Sequence, residues 1–296
     1  MSRQRFFFPD FEIETASKPV NVASVPQRSP FRYPGGKTWL VPTFRRWCKS
    51  FLTPPHHLIE PFAGGGIISL TAAFENIAEQ VIMVEKDDDV AAVWETVFGG
   101  DAKWLAEKIM RFDLNMKNLS KILETKPKSR REHAFQTILR NRTAHGGILA
   151  NGAGLIKNGE NGKGIKSRWY PQTIARRINM MSSIIEKVEF IGGDAFDVLT
   201  KYKRDAQAFF FIDPPYTAGG KRAGARLYRH SEIDHEELFF VCSRLAGHFL
   251  MTYDYAEEVC LLAKKYRFET KPIAMKNTHH APLTELLISR DLNWLN

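Results

Sequence analysis

The chain has 296 residues, 44% hydrophobic and 25% charged, an ordinary composition for a globular protein with a large core. No run approaches the 18 apolar residues of a membrane-spanning helix, the N-terminus lacks the layout of an export signal, and three distant cysteines suit neither a disulfide framework nor a zinc site. Of the formal net charge of +9, the excess lies in residues 101–190, where 18 Lys/Arg stand against 8 Asp/Glu, which favours a surface that binds a polyanion.

The first periodic elements predict the opening βαβ unit of a doubly wound sheet. Residues 1–27 lack periodicity and are predicted to form a poorly ordered arm. A strand over residues 58–62 is followed by a glycine turn at 64–66, a helix over 67–75 and a strand over 81–85 that ends on an acid.

Residues 96–187 are predicted to interrupt this sheet. Residues 90–140 are mostly helical in pattern, residues 146–164 form a glycine-rich basic stretch too long for an ordinary loop, and residues 173–187 return to helix. The pattern therefore predicts a catalytic domain built from 28–95 and 188–296, with a basic, mainly helical insertion at 96–187.

The later part of the chain returns to strands, over residues 188–191, 208–212, 248–253 and 286–289, with a helix over 235–245. The apolar run 208–212 ends at Asp213-Pro214-Pro215-Tyr216, where two prolines prevent further strand pairing. Ligands bind at this edge of an open α/β sheet. Asp213 and the Pro214 carbonyl could accept hydrogen bonds from a planar amine, and Tyr216 could stack on its ring.

Two look-alike motifs are excluded. The glycines at 64–66 lack the Gly-x-Gly-x-x-Gly spacing of a dinucleotide site. The segment that ends in Gly36-Lys37-Thr38 has Phe31 where a phosphate-binding loop requires glycine, so an ATPase is disfavoured.

Taken together, six segments in one order resemble the Dam-like, class alpha DNA adenine-N6 methyltransferases. They are an aromatic segment ending in Gly-Gly-Lys at residue 37, Glu-Pro-Phe-x-Gly-Gly-Gly at 60–66, Asn-Arg at 141–142, Gly-Asp-x-Phe at 193–196, Asp-Pro-Pro-Tyr at 213–216 and Glu-Leu-Leu-Ile at 285–288. The resemblance implies an α/β, Rossmann-like, S-adenosylmethionine-dependent methyltransferase sheet with an inserted, mainly helical DNA-recognition lobe.

The resemblance further implies S-adenosyl-L-methionine as the methyl donor. Lys37 and the glycine turn would hold its methionine part, Glu85 its ribose, and Asp194 with Phe196 its adenine. The expected donor-binding residues are Tyr33, Gly36, Lys37, Glu60, Pro61, Phe62, Gly64, Gly65, Gly66, Glu85, Asp194, Phe196 and Asp213. The acidic run at 87–89 leaves open which acid binds the ribose.

The acceptor implied by the resemblance is the N6 amine of adenine in double-stranded DNA. Asp213, Pro214, Pro215 and Tyr216 would be catalytic, with Tyr216 stacking on a base extruded from the duplex, because the amine cannot meet the methyl group inside the helix. Arg140, Asn141, Arg142, Lys163, Lys166 and Arg168, with Lys221, Arg222 and Arg226, are the expected DNA contacts. Arg142 is the first candidate for reading a base, against a salt bridge within the insertion.

Several alternatives stay open. Cytosine N4 is the runner-up acceptor, although Asp rather than Ser at position 213 favours adenine; RNA, a free nucleotide and a catalytically silent DNA-binding relative are further options. The target sequence is undetermined, because residues 144–150 replace the aromatic-rich turn common in enzymes that read GATC. We expect a monomeric cytoplasmic enzyme, from a bacterium or a phage-infected cell, that needs no metal and binds no membrane. The histidine pairs at 56–57 and 279–280 are interpreted as surface or packing residues.

Overall fold

The computed structural model describes residues 24–33, 35–149, 153–216, 233–276 and 282–295. Most of the predicted N-terminal arm, the predicted DNA contacts Lys221, Arg222 and Arg226, and the histidine pair at 279–280 lie outside these residues. None of the described helices is long and apolar enough to cross a membrane.

A seven-stranded sheet forms the centre of the molecule. Its strands are β1 (His57–Glu60), β2 (Gln80–Glu85), β3 (Val188–Gly192), β4 (Ala208–Ile212), β5 (His248–Asp254), β6 (Glu269–Lys276) and β7 (Pro282–Ser289). Their order is β3-β2-β1-β4-β5-β7-β6, and β7 runs antiparallel to both of its neighbours. This topology confirms the predicted α/β, Rossmann-like class.

Helices cover both faces of the sheet. They are α1 (Val41–Lys49), α2 (Ile67–Phe74), α3 (Asp88–Thr96), α4 (Ala102–Arg111), α5 (Met116–Glu124), α6 (Arg130–Thr143), α7 (Pro171–Met180), α8 (Ala195–Tyr202), α9 (His235–Ser243) and α10 (Glu257–Lys265). All five residues of β4 are buried, because alternate side chains enter two different cores. Phe209 and Phe211 pack in one core, and Phe210 and Ile212 pack in the other.

The helices between α3 and β3 join the first of these cores. α3 packs against α6, and α4 packs against α7. Apolar residues of α4, α6 and α7, among them Leu105, Ile138 and Ile174, belong to the same buried cluster as Phe209 and Phe211. In the described part of residues 97–187, no segment adds a strand to the sheet; the segment contributes one isolated bridge, between Ala144 and Leu155.

The sequence pattern missed α1, α8, α10 and β6. It also started the last strand at residue 286, whereas β7 begins at Pro282. β6 begins with the polar residues Glu269, Thr270 and Lys271 and carries Pro272, which weakens a strand signal. Such a strand is tolerated here because β6 lies at the edge of the sheet, where the missing proline N–H costs no central pairing.

Candidate active site

A cavity of about 750 Å³ opens at the carboxyl edge of the parallel strands. Acids at or just beyond the ends of four strands line it: Glu60 of β1, Glu85 of β2, Asp213 after β4 and Asp254 of β5. Because β7 is antiparallel, Glu285 near its start pairs in register with Asp254 and reaches the same edge. The strand order reverses between β1 and β4, so the cavity lies at the switch point where such sheets bind ligands.

Three donors converge on one oxygen of Asp213. Tyr216 Oη donates to Asp213 Oδ1 at 2.6 Å, and Thr252 Oγ1 donates to it at 2.7 Å. Lys37 Nζ forms an ion pair with the same oxygen at 3.0 Å. Among the described residues these contacts fix the orientation of the carboxylate and leave Oδ2 as the oxygen for a ligand.

Lys37 and Glu285 complete this network. Lys37 is 4% exposed, and its Nζ lies 3.6 Å from Glu285 Oε2 and donates to the Gly35 carbonyl at 3.1 Å. Tyr216 Oη also lies 3.3 Å from Glu285 Oε2. Burial raises the pKa of Glu285 to about 7; Lys37 opposes that shift, whereas Asp213 and Asp254 add to it.

The ring of Tyr216 is packed by its neighbours. It stacks on Tyr253 with centroids 5.7 Å apart, and Lys37 Nζ lies 4.8 Å from its centroid. Burial raises the pKa of Tyr216 well above its ordinary value, and the nearby carboxylates of Asp213 and Glu285 raise it further. The hydroxyl therefore stays protonated and remains a donor to Asp213 at neutral pH.

The glycine turn after β1 is packed against Tyr33. Gly64 has φ of 48°, in the left-handed region that favours glycine, and a Cβ built there would lie 2.6 Å from the Tyr33 ring. A Cβ on Gly65 would lie 2.9 Å from Tyr33 Cβ. Any side chain at either position would therefore displace Tyr33, which lines the cavity.

Glu60 and Glu85 hold this turn from two strands. Glu60 Oε2 accepts from the backbone N–H of Ser69, in α2, at 2.9 Å. Glu85 Oε2 accepts from the N–H of Gly64, and its Oε1 from that of Asp87, each at 2.8 Å. Burial raises the pKa of Glu60 to about 8 and that of Glu85 to about 7. Both acids line the cavity.

The acidic run after β2 has other partners. Asp87 caps α3 by accepting from the N–H of Asp89 at 2.9 Å. Asp88 pairs with Arg130, and the buried Asp89 pairs with His133 at 2.6 Å and Arg140 at 2.9 Å. Glu85 is thus the acid of this stretch whose carboxylate faces the cavity without serving a helix cap or an ion pair.

Asp194 and Phe196 lie at the start of α8, just after β3. Asp194 Oδ1 caps α8 by accepting from the N–H of Phe196 at 2.9 Å, and Oδ2 pairs with Lys86 at 2.8 Å. Partial burial opposes ionisation of Asp194, but these hydrogen bonds keep its pKa below the ordinary value. Both residues line the cavity.

The predicted DNA contacts are divided between surface and interior. Lys163 and Lys166 are exposed, and Arg168 is partly exposed. Arg140 is engaged by Asp89. Asn141 is fully buried; its amide donates to the carbonyls of Arg32 and Gly147, and its oxygen accepts from the N–H of Arg32. Asn141 therefore ties α6 to the segment before Tyr33.

Arg142 lies inside the protein, in the cavity wall. It is 6% exposed, and its Nη2 donates to the carbonyl of Pro30. The salt bridge that the sequence offered as the alternative role for Arg142 does not occur among the described residues, where a backbone carbonyl takes that place.

The sequence analysis did not predict Thr252, Asp254 and Arg177, which line or order this site. It named Glu285 as part of a motif but gave it no role. Glu285 carried a signal, since it is the one acid in the otherwise apolar and hydroxyl-bearing strand β7. Thr252 carried none, because a threonine within a strand is unremarkable. Within the described residues no group of three or more His, Cys, Asp or Glu is placed to hold a metal ion.

Comparison with known proteins gives one family match. The model of the family described as D12 class N6 adenine-specific DNA methyltransferase matches residues 33–276. No curated protein sequence matches the chain.

Three of the solved structures that match this chain have methyltransferase or methylase in their names and are of low identity to it. The rRNA methyltransferase aviRa from Streptomyces viridochromogenes is 10% identical over 92% of this chain and 94% of its own, with a TM-score of 0.41. A methyltransferase from Geobacter sulfurreducens is 12% identical over 88% and 80%, with a TM-score of 0.39. An rRNA methylase from Streptococcus thermophilus is 11% identical over 84% and 95%, with a TM-score of 0.35. Similarity at this level says nothing about the substrate.

Proposed function

Because this chain belongs to the D12 class N6 adenine-specific DNA methyltransferase family, and is therefore a methyltransferase, we propose that it methylates the N6 amine of adenine in double-stranded DNA. The family implies an S-adenosylmethionine-type methyl donor. The observation that carries the proposal is the fixed carboxylate of Asp213, held by Tyr216, Thr252 and Lys37 at the end of a central strand and facing a cavity.

The residues of the cavity fit such a donor. The turn at Gly64 and Gly65 lines the cavity, and its backbone and the Tyr33 ring packed on it would border the methionine part. Glu85 presents a carboxylate that could accept hydrogen bonds from ribose hydroxyls. Phe196, beside the cap residue Asp194, offers an apolar ring for the adenine. When bound, the donor supplies a methyl group on a positively charged sulfur that needs no further activation.

Asp213 would act on the acceptor amine. The lone pair of an exocyclic amine is delocalised into the ring, so the nitrogen is a poor nucleophile. Oδ2 of Asp213 and the Pro214 carbonyl would accept its two N–H groups, which favours the rehybridised nitrogen and the positive charge that develops on it. A preformed acceptor is effective because three neighbours already fix its orientation.

Extrusion of the base is part of the proposal. The amine of a paired adenine is inside the duplex, so the base must leave the stack to reach Asp213. Tyr216 lines the cavity three residues beyond Asp213 and would stack on the extruded base. Its hydroxyl donates to Asp213, so the tyrosine would both orient the carboxylate and contact the base.

Transfer of labelled methyl groups tests the proposal. The protein is incubated with tritiated S-adenosylmethionine and with duplex DNA, single-stranded RNA or free nucleosides, and the products are digested and separated by chromatography. We expect label in N6-methyladenine from duplex DNA alone, and Asp213→Ala as the matched control should incorporate almost none. Label in N4-methylcytosine or only in RNA would contradict the proposed acceptor, and no transfer to any substrate would contradict the proposed reaction.

A further inference from the structure

Two arginines, Arg142 near the end of α6 and Arg177 on α7, line the cavity beside the glycine turn; we call them the arginine pair. Arg177 Nη1 donates to the carbonyl of Ser29 at 2.9 Å, and Arg142 Nη2 donates to that of Pro30. Ser29 itself borders the turn, since a Cβ on Gly65 would lie 3.7 Å from Ser29 Oγ. The arginine pair is therefore bonded to the segment at 29–30, which borders the glycine turn.

The positive charge of the arginine pair is not balanced by a carboxylate within the described residues; the hydrogen bonds of both side chains go to backbone carbonyls. Arg142 is 6% exposed, and its Nε is buried without a hydrogen-bond partner. Burial of a guanidinium group with an unpaired N–H costs free energy, and a bound anion that accepts this N–H would offset the cost.

The surroundings of the arginine pair add to this imbalance. Burial, and then the charges of Arg177 and Arg32, lower the pKa of Arg142 to about 10. Burial and the neighbouring Arg176 lower the pKa of Arg177. Arg142 nevertheless remains charged at neutral pH, so the cavity has a permanently cationic wall beside its glycine turn.

The chemistry of this wall selects a small anion. Guanidinium groups bind carboxylate and phosphate oxygens through charge-assisted hydrogen bonds. A phosphate of duplex DNA stays at the surface of the helix, whereas Arg142 is enclosed within the cavity wall. The methionine end of the methyl donor carries a carboxylate, and it is expected at the glycine turn, next to which the arginine pair lies.

We propose that Arg142 and Arg177 bind the α-carboxylate of the methyl donor. The inference rests on the proposed function, because it requires an S-adenosylmethionine-type ligand. It gives the methionine end a counter-charge other than Lys37, whose ammonium group is engaged by Asp213 and Glu285. It also makes donor binding depend on α6 and α7, two helices that lie outside the sheet.

Calorimetry without DNA tests this assignment on the full chain. The two ligands are S-adenosylhomocysteine and S-adenosyl-3-thiopropylamine, which is the same molecule without its carboxylate. The wild-type protein should prefer the first by about tenfold or more, as expected for charge-assisted hydrogen bonds that one ligand lacks. In Arg142→Met and Arg177→Met this preference should shrink at least about fivefold, because the carboxylate loses its partner while the rest of the ligand is unchanged.

A matched control is Arg176→Met, which alters the exposed neighbour of Arg177 and should keep the wild-type preference. Thermal unfolding followed by circular dichroism checks that each variant folds, and Arg177→Met alone carries the test if Arg142→Met does not fold. Equal weakening of both ligands would overturn the proposal, since the arginines would then only support the segment at 29–30. Wild-type protein that binds both ligands equally would overturn it too, and protein that binds neither would contradict the proposed function itself.

Discussion

The two charged regions of the cavity are built differently. In the catalytic region, which consists of Lys37, Asp213, Tyr216, Thr252 and Glu285, the charged and hydroxyl groups bond to one another. In the arginine pair, Arg142 and Arg177, the side chains bond to backbone carbonyls and find no carboxylate among the described residues.

This difference indicates that the two regions are suited to different tasks: one to act on the reacting atoms and the other to bind an anion. A carboxylate that three neighbours hold in place needs little reorganisation when charge develops on a bound amine, which suits a group that acts on the reacting atoms. A pair of guanidinium groups without a counter-charge suits a group that binds an anionic ligand and gains its partner only then. Substitutions in the two regions should therefore have separable effects on the rate of transfer and on the affinity for the donor.

The largest effect should follow from Asp213→Ala. We expect the rate of methyl transfer to fall on the order of a hundredfold or more, because the preorganised acceptor is removed, while the affinity for S-adenosylhomocysteine changes little. Single-turnover kinetics and calorimetry measure the two quantities. Thr252→Val removes only one of the three donors to Oδ1 and should cause a smaller loss; near-normal transfer by Asp213→Ala would remove Asp213 from the mechanism.

Stability should depend on pH through the acids at the strand ends. The pKa of Glu60 is about 8 in the folded protein against an ordinary 4.5, so the folded state holds a proton that the unfolded state releases between these values. The stabilisation is complete below pH 4.5 and is lost as the pH rises towards 8, with a slope of up to about 1.4 kcal/mol per pH unit. Arg142, whose pKa is about 10, does not titrate in this range and should not contribute.

Urea unfolding at a series of pH values from 5 to 8.5 checks this expectation. Glu60→Gln should flatten the pH dependence, because glutamine keeps the acceptor for the Ser69 N–H but cannot ionise. The exposed Glu79→Gln is the control and should leave the slope unchanged. An unaltered slope in Glu60→Gln would mean that Glu60 is ionised throughout this range.

Lys37→Met tests whether Lys37 binds the methionine part of the donor, as the sequence predicts, or supports Asp213, with which it pairs in the structure. We expect transfer to slow by about tenfold or more, because Asp213 loses a charge-assisted partner, whereas the affinity for S-adenosylhomocysteine should change much less than in Arg142→Met. Single-turnover rates and calorimetry on the same preparations give both values. A large loss of affinity for S-adenosylhomocysteine with a normal saturated rate would instead indicate that Lys37 binds the methionine part of the donor.

The smallest effect concerns DNA. Lys163 and Lys166 are exposed in a basic segment, and replacing either by Met should lower the slope of log affinity against log salt by about 0.9 if its ammonium group pairs with a phosphate. Fluorescence anisotropy with a labelled duplex, at salt concentrations between about 50 and 200 mM, measures this slope. Arg142→Met should leave the slope unchanged, because the side chain is buried. A lowered slope in Arg142→Met would place Arg142 on the DNA.

Features that depend only on residues close together in the chain could be predicted from the sequence. The apolar run at 208–212 followed by two prolines identified a buried central strand and the place of Asp213 at its end, because proline cannot continue the pairing. The glycines at 64–66 identified a turn, since Gly64 and Gly66 adopt positive φ angles that other residues avoid. Each signal lies within a few residues of the feature it encodes.

Tertiary structure alone decided which distant side chains meet. Glu285 reaches Tyr216, 69 residues earlier, because β7 inserts antiparallel beside β5 and turns its start towards the cavity. Arg142 lies beside Pro30, 112 residues away, because α6 packs against the segment before Tyr33. Periodicity and motif spacing describe contacts along one element, whereas these contacts depend on strand direction and helix packing, and so the same residues could be named from the sequence but not given their partners.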